Sequence, residues 1–365
     1  MKPEIIDAIA PVYEPLIAAP TARLDTPTTN SHSESQPSPS VNTCASPKPK
    51  KPLFNTKYKL QHTDLHRNSV LTHGTNEQDR MVAQHYLLRT AFRGEFLAPI
   101  QSALKKGCIV LDMGCGPGTW TMEMSTAFPR STFIGFDLEN VYPHDIKPKN
   151  CHFRTCDLTI LPLPLPDNSV DFIFQRDMNW YLKAHMWLPL LKEYLRILKP
   201  GGWIELVEPD LQTQCSGTME LLMNDKLIRA FSLRQQDPSS ARRLASLLAI
   251  SGFRRVESDF QSFPLGWGWL HQSHRINDSP PCSSDHDITV VGTHRSEFVR
   301  AVASQYMFLL KSLKPWLSRF MSMTDEKYDA YIEALPAEWA QMQTYTNWHC
   351  ATAQKPCQTY LYHTP

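Results

Sequence analysis

The chain has 365 residues, 42% of them hydrophobic, and a formal net charge of +1. That length suits one large domain with insertions or two modest ones, and the apolar share supports a sizeable core. Nothing in a charge so near zero suggests a nucleic-acid binder, whose footprint is a strongly basic face, so no nucleic-acid partner is expected.

Nine cysteines are spread along the chain without a CxxC pair. Cys108, Cys115, Cys151 and Cys156 fall in or beside core-like segments, which fits reduced thiols better than a disulfide framework. The early apolar stretch is broken by Pro3, Pro11, Pro15 and Pro20 and charged by Asp7 and Glu14, unlike a secretory signal. No run reaches the roughly 18 apolar residues that suggest a membrane span. The expectation is a soluble, intracellular protein with no membrane partner, cytoplasmic or nuclear.

Residues 1–60 are rich in Pro, Ser and Thr and read as a disordered tail. The tail contains Ser46-Pro47-Lys48-Pro49-Lys50-Lys51-Pro52, a basic cluster of the kind used for nuclear import and equally a solvated charge run. Residues 77–103 have helical spacing, with Met81, His85, Leu88 and Phe92 on one side. Strand and helix signals then alternate. Residues 108–113 form an apolar strand, 119–128 a helix stopped by Pro129, 132–137 and 151–156 two more strands, and 170–175 a fourth after a turn at 166–169.

Trp187, Leu191, Tyr194 and Leu198 mark a helix that Lys199-Pro200-Gly201-Gly202 stops, and 203–208 is a fifth strand. A helix over 239–251 and a strand over 253–263 follow, then a polar irregular stretch at 271–293. Phe298, Val302, Tyr306, Leu309 and Leu313 line another helix, 324–343 is helical, and 345–353 is a last strand. Such alternation implies parallel pairing through right-handed crossovers. The predicted fold is α/β, a doubly wound, mostly parallel seven-stranded sheet with a helical insertion between the last two strands. The predicted domain spans 70–357, with 264–343 as a substrate lid.

The decisive segment is Val110-Leu111-Asp112-Met113-Gly114-Cys115-Gly116-Pro117-Gly118-Thr119, where an apolar strand enters a glycine-rich turn and a helix begins. Glycines there permit positive φ and close approach of a ligand, and the amides of the turn and helix offer donors. The dinucleotide pattern G-x-G-x-x-G fails at Thr119, and a P-loop fails for want of a lysine. Asp137 closes the second strand, 25 residues after Asp112. A carboxylate there can accept both ribose hydroxyl protons, as in dinucleotide folds; its plainer reading is a loop or cap residue.

The acidic-x-G-x-G-x-G order of Asp112, Gly114, Gly116 and Gly118 resembles the first motif of class I S-adenosylmethionine-dependent methyltransferases. The resemblance continues through Asp137, Cys156-Asp157-Leu158 and Lys199-Pro200-Gly201-Gly202. It implies S-adenosyl-L-methionine as cofactor, held by Asp112, Gly114, Cys115, Gly116, Gly118, Asp137, Leu138, Asp157, Leu158 and Gln175. Within that set, Asp157 would hydrogen-bond the adenine amino group and Leu158 would pack on the ring.

Beyond the common core, Glu77-x-x-Arg80-Met81-x-x-Gln84-His85, Leu165-Pro166-Asp167-Asn168, Gly202-Trp203-Ile204-Glu205-Leu206-Val207-Glu208 and Tyr345-Thr346-Asn347-Trp348 are similar to a fungal set of these enzymes. Some members of that set regulate secondary metabolism. One segment departs from it. Val70-Leu71-Thr72-His73-Gly74-Thr75-Asn76 stands where that set has a Tyr-x-Leu-Pro-Asn-Asp type stretch.

The reaction implied is in-line transfer of a methyl group to an acceptor, small metabolite or protein, that the sequence does not name. Asp177, His185 and Glu208, near strand ends, are candidate bases, each equally readable as a cap or a solvated residue. No catalytic residue is assigned. Trp180, Tyr181, Trp187, Trp267, Trp269 and Tyr306 are candidates for a lid or acceptor pocket, or else core. His271, His274, Cys282 and His286 fit no compact zinc spacing, so no metal is expected. The alternative is a methyltransferase-fold regulator acting through protein partners in the nucleus.

Overall fold

The computed structural model describes residues 70–72, 74–268 and 287–357. In chain order the main elements are α1 (Thr75–Phe92), α2 (Gln101–Lys106), β1 (Ile109–Met113), α3 (Thr119–Ala127), β2 (Thr132–Asp137), β3 (Cys151–Thr155) and β4 (Val170–Arg176). After two 3-10 turns come α4 (Trp187–Ile197), β5 (Leu198–Pro209), α5 (Thr218–Leu233), α6 (Leu244–Ser251) and β6 (Arg254–Pro264). The chain then forms α7 (Asp287–Phe320), α8 (Asp325–Met342) and β7 (Tyr345–Gln354).

The seven strands lie in the order β3-β2-β1-β4-β5-β7-β6. β1 to β5 are parallel, and β7 runs antiparallel between β5 and β6. The mostly parallel, doubly wound sheet expected from the alternation is therefore present, and α7 and α8 lie between the last two strands in sequence. All five residues of β1 are buried, because helices cover both faces of a parallel sheet. Its side chains alternate between them. Val110, Phe172 and Phe174 join the core with α3, α5, α7 and α8, and Leu111 and Ile173 join the one with α4 and α6. Trp120 of α3 stacks flat on Phe174, ring centroids 4.0 Å apart.

The strand order reverses between β1 and β4, whose ends are in register: Asp112 lies opposite Phe174 and Met113 opposite Gln175. In open α/β sheets the crevice beyond the strand carboxyl ends at such a reversal is where ligands bind.

Three local expectations need correction. The helix read over 77–103 ends at Phe92, with Arg93 in a left-handed cap. Gly94 and Pro99 separate it from α2, as a glycine and a proline punctuate helices generally. The irregular stretch ends earlier than 293, since α7 begins at Asp287; its residues up to 286, with His271, His274, Cys282, His286 and neighbouring Trp269, lie outside the described residues. Residues 239–251 resolve into a 3-10 turn at Ala241–Arg243 and then α6. Among the described residues no helix is long and apolar enough to cross a membrane.

Candidate functional site

The turn after β1 carries three glycines at positive φ, Gly114 (77°), Gly116 (52°) and Gly118 (76°). A side chain at Gly114 would strike the Met178 sulfur, and one at Gly116 the Met81 methyl group. Gly118 serves packing instead, because the Phe153 ring occupies the place of a side chain there. The expected cradle of amide donors is largely absent. Gly114 and Cys115 both donate to the Phe136 carbonyl, at 2.8 and 3.0 Å. Gly116 donates to Asp137 Oδ2 at 2.7 Å, and Gly118 to the Cys115 carbonyl at 2.9 Å. These bonds clamp the turn to the end of β2, which fixes its shape at the expense of its donors.

The turn opens onto a cavity of about 470 Å³ that Gly114, Gly116, Asp137, Leu138, Cys156 and Leu158 help to line. Asp137 accepts from Gly116 and, through Oδ1, from the Glu139 amide at 2.9 Å. An ionised carboxylate offers about four lone-pair directions, so two remain for a ligand. Burial raises its pKa above the ordinary value, partly offset by those amides. Asp157 sits beside the cavity wall, where Oδ1 accepts from the Thr159 amide, the Thr159 hydroxyl and Tyr181 Oη at 2.7 to 2.8 Å.

Asp112 is buried, accepts from Thr121 Oγ1 at 2.5 Å, and lines a smaller cavity behind the turn with Gly114, Cys115 and Thr119. Burial pushes its pKa up to about 6. Gln175 is not brought to either cavity. Its side chain is fully buried, accepting from Tyr194 Oη at 2.9 Å and facing Glu208 at 3.3 Å. Successive strand residues face opposite sides, so it is the next residue, Arg176, that reaches the cavity.

The opposite wall comes from α1 and the segment after β4, and it brings the Glu77–His85 stretch against the candidates Asp177, Trp180 and Tyr181. Glu77 and Arg80 line the cavity, with Arg80 Nε and Nη2 donating to the Glu77 carboxylate at 2.7 to 3.0 Å and Nη1 to Gln84 Oε1 at 2.5 Å. Asp177 has a left-handed backbone, φ 63°, a conformation uncommon for residues other than glycine. Its Oδ2 accepts from Gln84 Nε2 at 2.7 Å and its Oδ1 from Trp180 Nε1 at 2.8 Å. Asp177, Trp180 and Tyr181 line the main cavity, and Asp177, Trp180 and Tyr306 also line a small space against α7.

The other candidates lie elsewhere. Glu208 is fully buried and braces the 3-10 segment by accepting from the Met178 and Asn179 amides at 3.1 and 3.0 Å. His185 lies in an exposed 3-10 turn, Trp187 is core, and Trp267 Nε1 donates to the Thr344 carbonyl. His85, Glu95 and Glu123 come together within 4.8 Å. Arg176 Nη2 lies 3.2 Å from His85 Nδ1 and Glu123 lies 3.3 Å from Nε2. A guanidinium can only donate, so Nδ1 is the acceptor and Nε2 carries the proton, an arrangement that closes Nε2 to a cation.

A glycine turn and a strand-end carboxylate thus share one cavity at the point where the strand order reverses, and the methyltransferase-domain family profile matches residues 110–202. The chain carries a methyltransferase domain over those residues. The N-methyltransferase verN of Clonostachys rogersoniana is 29% identical over 235 residues, covering 60% of this chain and 79% of verN. The secondary metabolism regulator LAE1 of Cochliobolus heterostrophus is 34% identical over 141 residues, covering 38% of this chain and 45% of LAE1. The protein-methionine methyltransferase laeA of Emericella nidulans is 28% identical over 204 residues, covering 54% of this chain and 53% of laeA. The chain therefore spans about half the length of the last two relatives.

The methyltransferase's cofactor is S-adenosylmethionine, and the residues present suit it. Asp137 has lone pairs to spare for a diol, Leu138 and Leu158 offer apolar faces for a flat base, and the cavity falls within the usual range of about 300–1,000 Å³ for small-molecule sites.

Proposed function

We propose that this methyltransferase holds S-adenosylmethionine with its ribose on Asp137 and its adenine between Leu138 and Leu158 beside Asp157. Its acceptor then enters at the wall formed by Asp177, Trp180 and Tyr181. The observation that carries this reading is the single cavity joining the Gly114–Gly116 turn and Asp137 to Asp177 and Trp180. When bound, the cofactor supplies a methyl group already activated on a sulfonium. The chain's work is then to orient the acceptor and exclude water, and alignment of this kind contributes as much as about 7–11 kcal/mol of barrier lowering. Asp177, fixed by Gln84 and Trp180, is placed to accept a hydrogen bond from an acceptor N–H or O–H and so aim a lone pair at the methyl group.

The acceptor is a small metabolite or a protein side chain. The names of two relatives, an N-methyltransferase and a protein-methionine methyltransferase, give nitrogen and protein methionine as the acceptors of those proteins. α7 forms the lid over this wall, tied to α1 by Gln305 Nε2 donating to Gln84 Oε1 at 2.7 Å. Several relatives are named as secondary metabolism regulators, which favours a second reading in which the same site serves a regulator acting through protein partners in the nucleus. The Ser46–Pro52 basic cluster that would direct it there lies outside the described residues.

The test is thermal-shift binding of S-adenosylhomocysteine and a nicotinamide cofactor, followed by transfer of a labelled methyl group into cell extract. Only the former ligand should raise the melting point. Labelled product supports the enzyme, binding without product in any extract supports the regulator, and stabilisation by the nicotinamide cofactor alone sinks both.

A further inference from the structure

The amino-acid end of the cofactor carries a carboxylate that needs donors, and the turn does not supply them, because the amides of Gly114, Cys115 and Gly116 are bonded within the protein. Two guanidinium groups line the cavity. Arg80 is already committed through Nε, Nη1 and Nη2 to Glu77 and Gln84. Arg176 differs. Among the described residues it meets one hydrogen-bond acceptor, His85 Nδ1, 3.2 Å from Nη2. A guanidinium has five N–H donors in a planar fork that matches a carboxylate with two parallel bonds, so most of the fork is open.

Its location agrees. Arg176 lines both the main cavity and the small one behind the turn, where Asp112, Gly114 and Thr119 are its neighbours. That second space is about 40 Å³, the room of a few water molecules at roughly 10–15 Å³ each. A carboxylate fits such a space and an adenine ring does not. The first turn of α3 starts there at Thr119, adding the partial positive charge of a helix N-terminus.

Resting on the reading that the cavity holds S-adenosylmethionine, we propose that Arg176 anchors the cofactor's α-carboxylate and that His85 is the positioning residue that aims it. His85 is fully buried, and its Nε2–H is directed at Glu123. A neutral imidazole acceptor orients the guanidinium without neutralising it, whereas a carboxylate in the same place would compete with the ligand.

The experiment is calorimetric titration of the full chain with S-adenosylhomocysteine and with 5′-methylthioadenosine, which lacks the amino-acid end. R176Q should weaken S-adenosylhomocysteine roughly 10- to 100-fold, the usual effect of losing charged hydrogen bonds, and leave 5′-methylthioadenosine within about twofold. R176K, which keeps the charge and loses the fork, should fall between. H85Q should weaken only S-adenosylhomocysteine, a selectivity that a general packing defect would not produce. Equal weakening of both ligands by R176Q, or of neither, overturns the anchor. Should R176Q fail to fold, R176K and the wild type decide. Wild-type protein should bind the descarboxy analogue of S-adenosylhomocysteine at least tenfold more weakly, R176K should narrow that gap, and an unchanged gap overturns the anchor. Wild-type protein that binds neither S-adenosylhomocysteine nor 5′-methylthioadenosine overturns the cofactor reading and the anchor with it.

Discussion

Gly116 donates its amide to Asp137 Oδ2 at 2.7 Å, joining the turn after β1 to the end of β2. Asp137 therefore shapes the turn and lines the cavity, where the proposed function has it hold the ribose. Asp137→Ala removes both, and Asp157→Ala removes the proposed adenine partner together with the Tyr181 anchor. With hydrogen bonds to charged groups contributing about 1.5–3 kcal/mol, each substitution should weaken S-adenosylhomocysteine roughly 10- to 100-fold, and the double variant more. Titration calorimetry reads this directly, and a double variant with wild-type affinity would remove the basis of the cofactor assignment.

The glycines of the turn should separate by role. Gly118 is filled against by the Phe153 ring, so Gly118→Ala overpacks the α3–β3 contact and forces alanine into a left-handed backbone. A loss of about 1–3 kcal/mol in unfolding free energy is expected. Gly114→Ala carries the same backbone strain but meets the flexible Met178 side chain at the cavity wall instead of a packed ring. It should lose affinity for S-adenosylhomocysteine out of proportion to its loss of stability. Urea titrations with and without ligand distinguish the two patterns, and identical behaviour of the two variants would contradict the division.

The sheet and the turn were legible because buried parallel strands are nearly continuous apolar runs and because the motif at 112–118 interrupts one of them with glycines. The wall opposite was legible in part. The stretch from Glu77 to His85 stood out by resemblance, and Asp177, Trp180 and Tyr181 as candidates near a strand end, but the burial of Glu77, Arg80 and Gln84 on one face of α1 did not, because polar residues three and four apart look the same in sequence as a solvated helix face. Gln175, expected at the cofactor, does not line the cavity and Arg176 does, because a strand's side chains alternate and a shift of one residue reverses which of them faces it. α5 was blurred for another reason. Its buried Met223, Leu227 and Phe231 have helical spacing, but Leu221, Leu222 and Leu233 stand exposed on it and widen the apolar stripe.

Stability should fall on the alkaline side of neutrality. Burial pushes Glu208 up to about 8, Glu205 and Glu95 up to about 7, and Asp112 up to about 6. A carboxyl group with a raised folded pKa binds its proton more tightly in the native state. Its contribution is complete below the unfolded value and is lost as pH rises through the folded one. His85 has the opposite dependence: burial and Arg176 lower it to about 4, so its penalty grows as pH falls from 6.5 toward that value. Between about pH 6.5 and pH 8 only the carboxyl groups change, and the melting temperature should decline across that interval. Glu208→Gln removes one titrating group and should flatten the decline. It should also lower the whole curve, since the Met178 and Asn179 N–H groups bond different oxygens of Glu208 and one of them would face the amide NH2. A melting temperature that rises from pH 6.5 to pH 8 would show that these burial effects are not dominant.

The helices between β6 and β7 are pinned by two carboxylates rather than by apolar packing alone. Glu220 of α5 accepts from Thr213 Oγ1 at 3.0 Å, from Tyr306 Oη of α7 at 3.2 Å and from Trp339 Nε1 of α8 at 2.9 Å. Glu338 of α8 returns the contact by accepting from the Met219 and Glu220 amides at 3.0 and 2.8 Å, where the first turn of α5 has no capping side chain of its own. Glu220→Ala strands two donors in the interior, Tyr306 Oη and Trp339 Nε1, while Thr213 Oγ1 keeps Ser216 Oγ at 2.8 Å; with about 1–3 kcal/mol for each buried unsatisfied group it should cost about 2 kcal/mol or more. Glu338→Ala loses a cap and should cost nearer 1 kcal/mol. Both should shift the urea midpoint with little change in slope, because the same surface is exposed on unfolding. If α7 serves as a lid that opens as a unit, Glu220→Ala should in addition raise protease cleavage within 297–342 before global unfolding. A Glu220→Ala variant as stable as the wild type would mean that apolar packing alone holds α7 and α8 against the sheet.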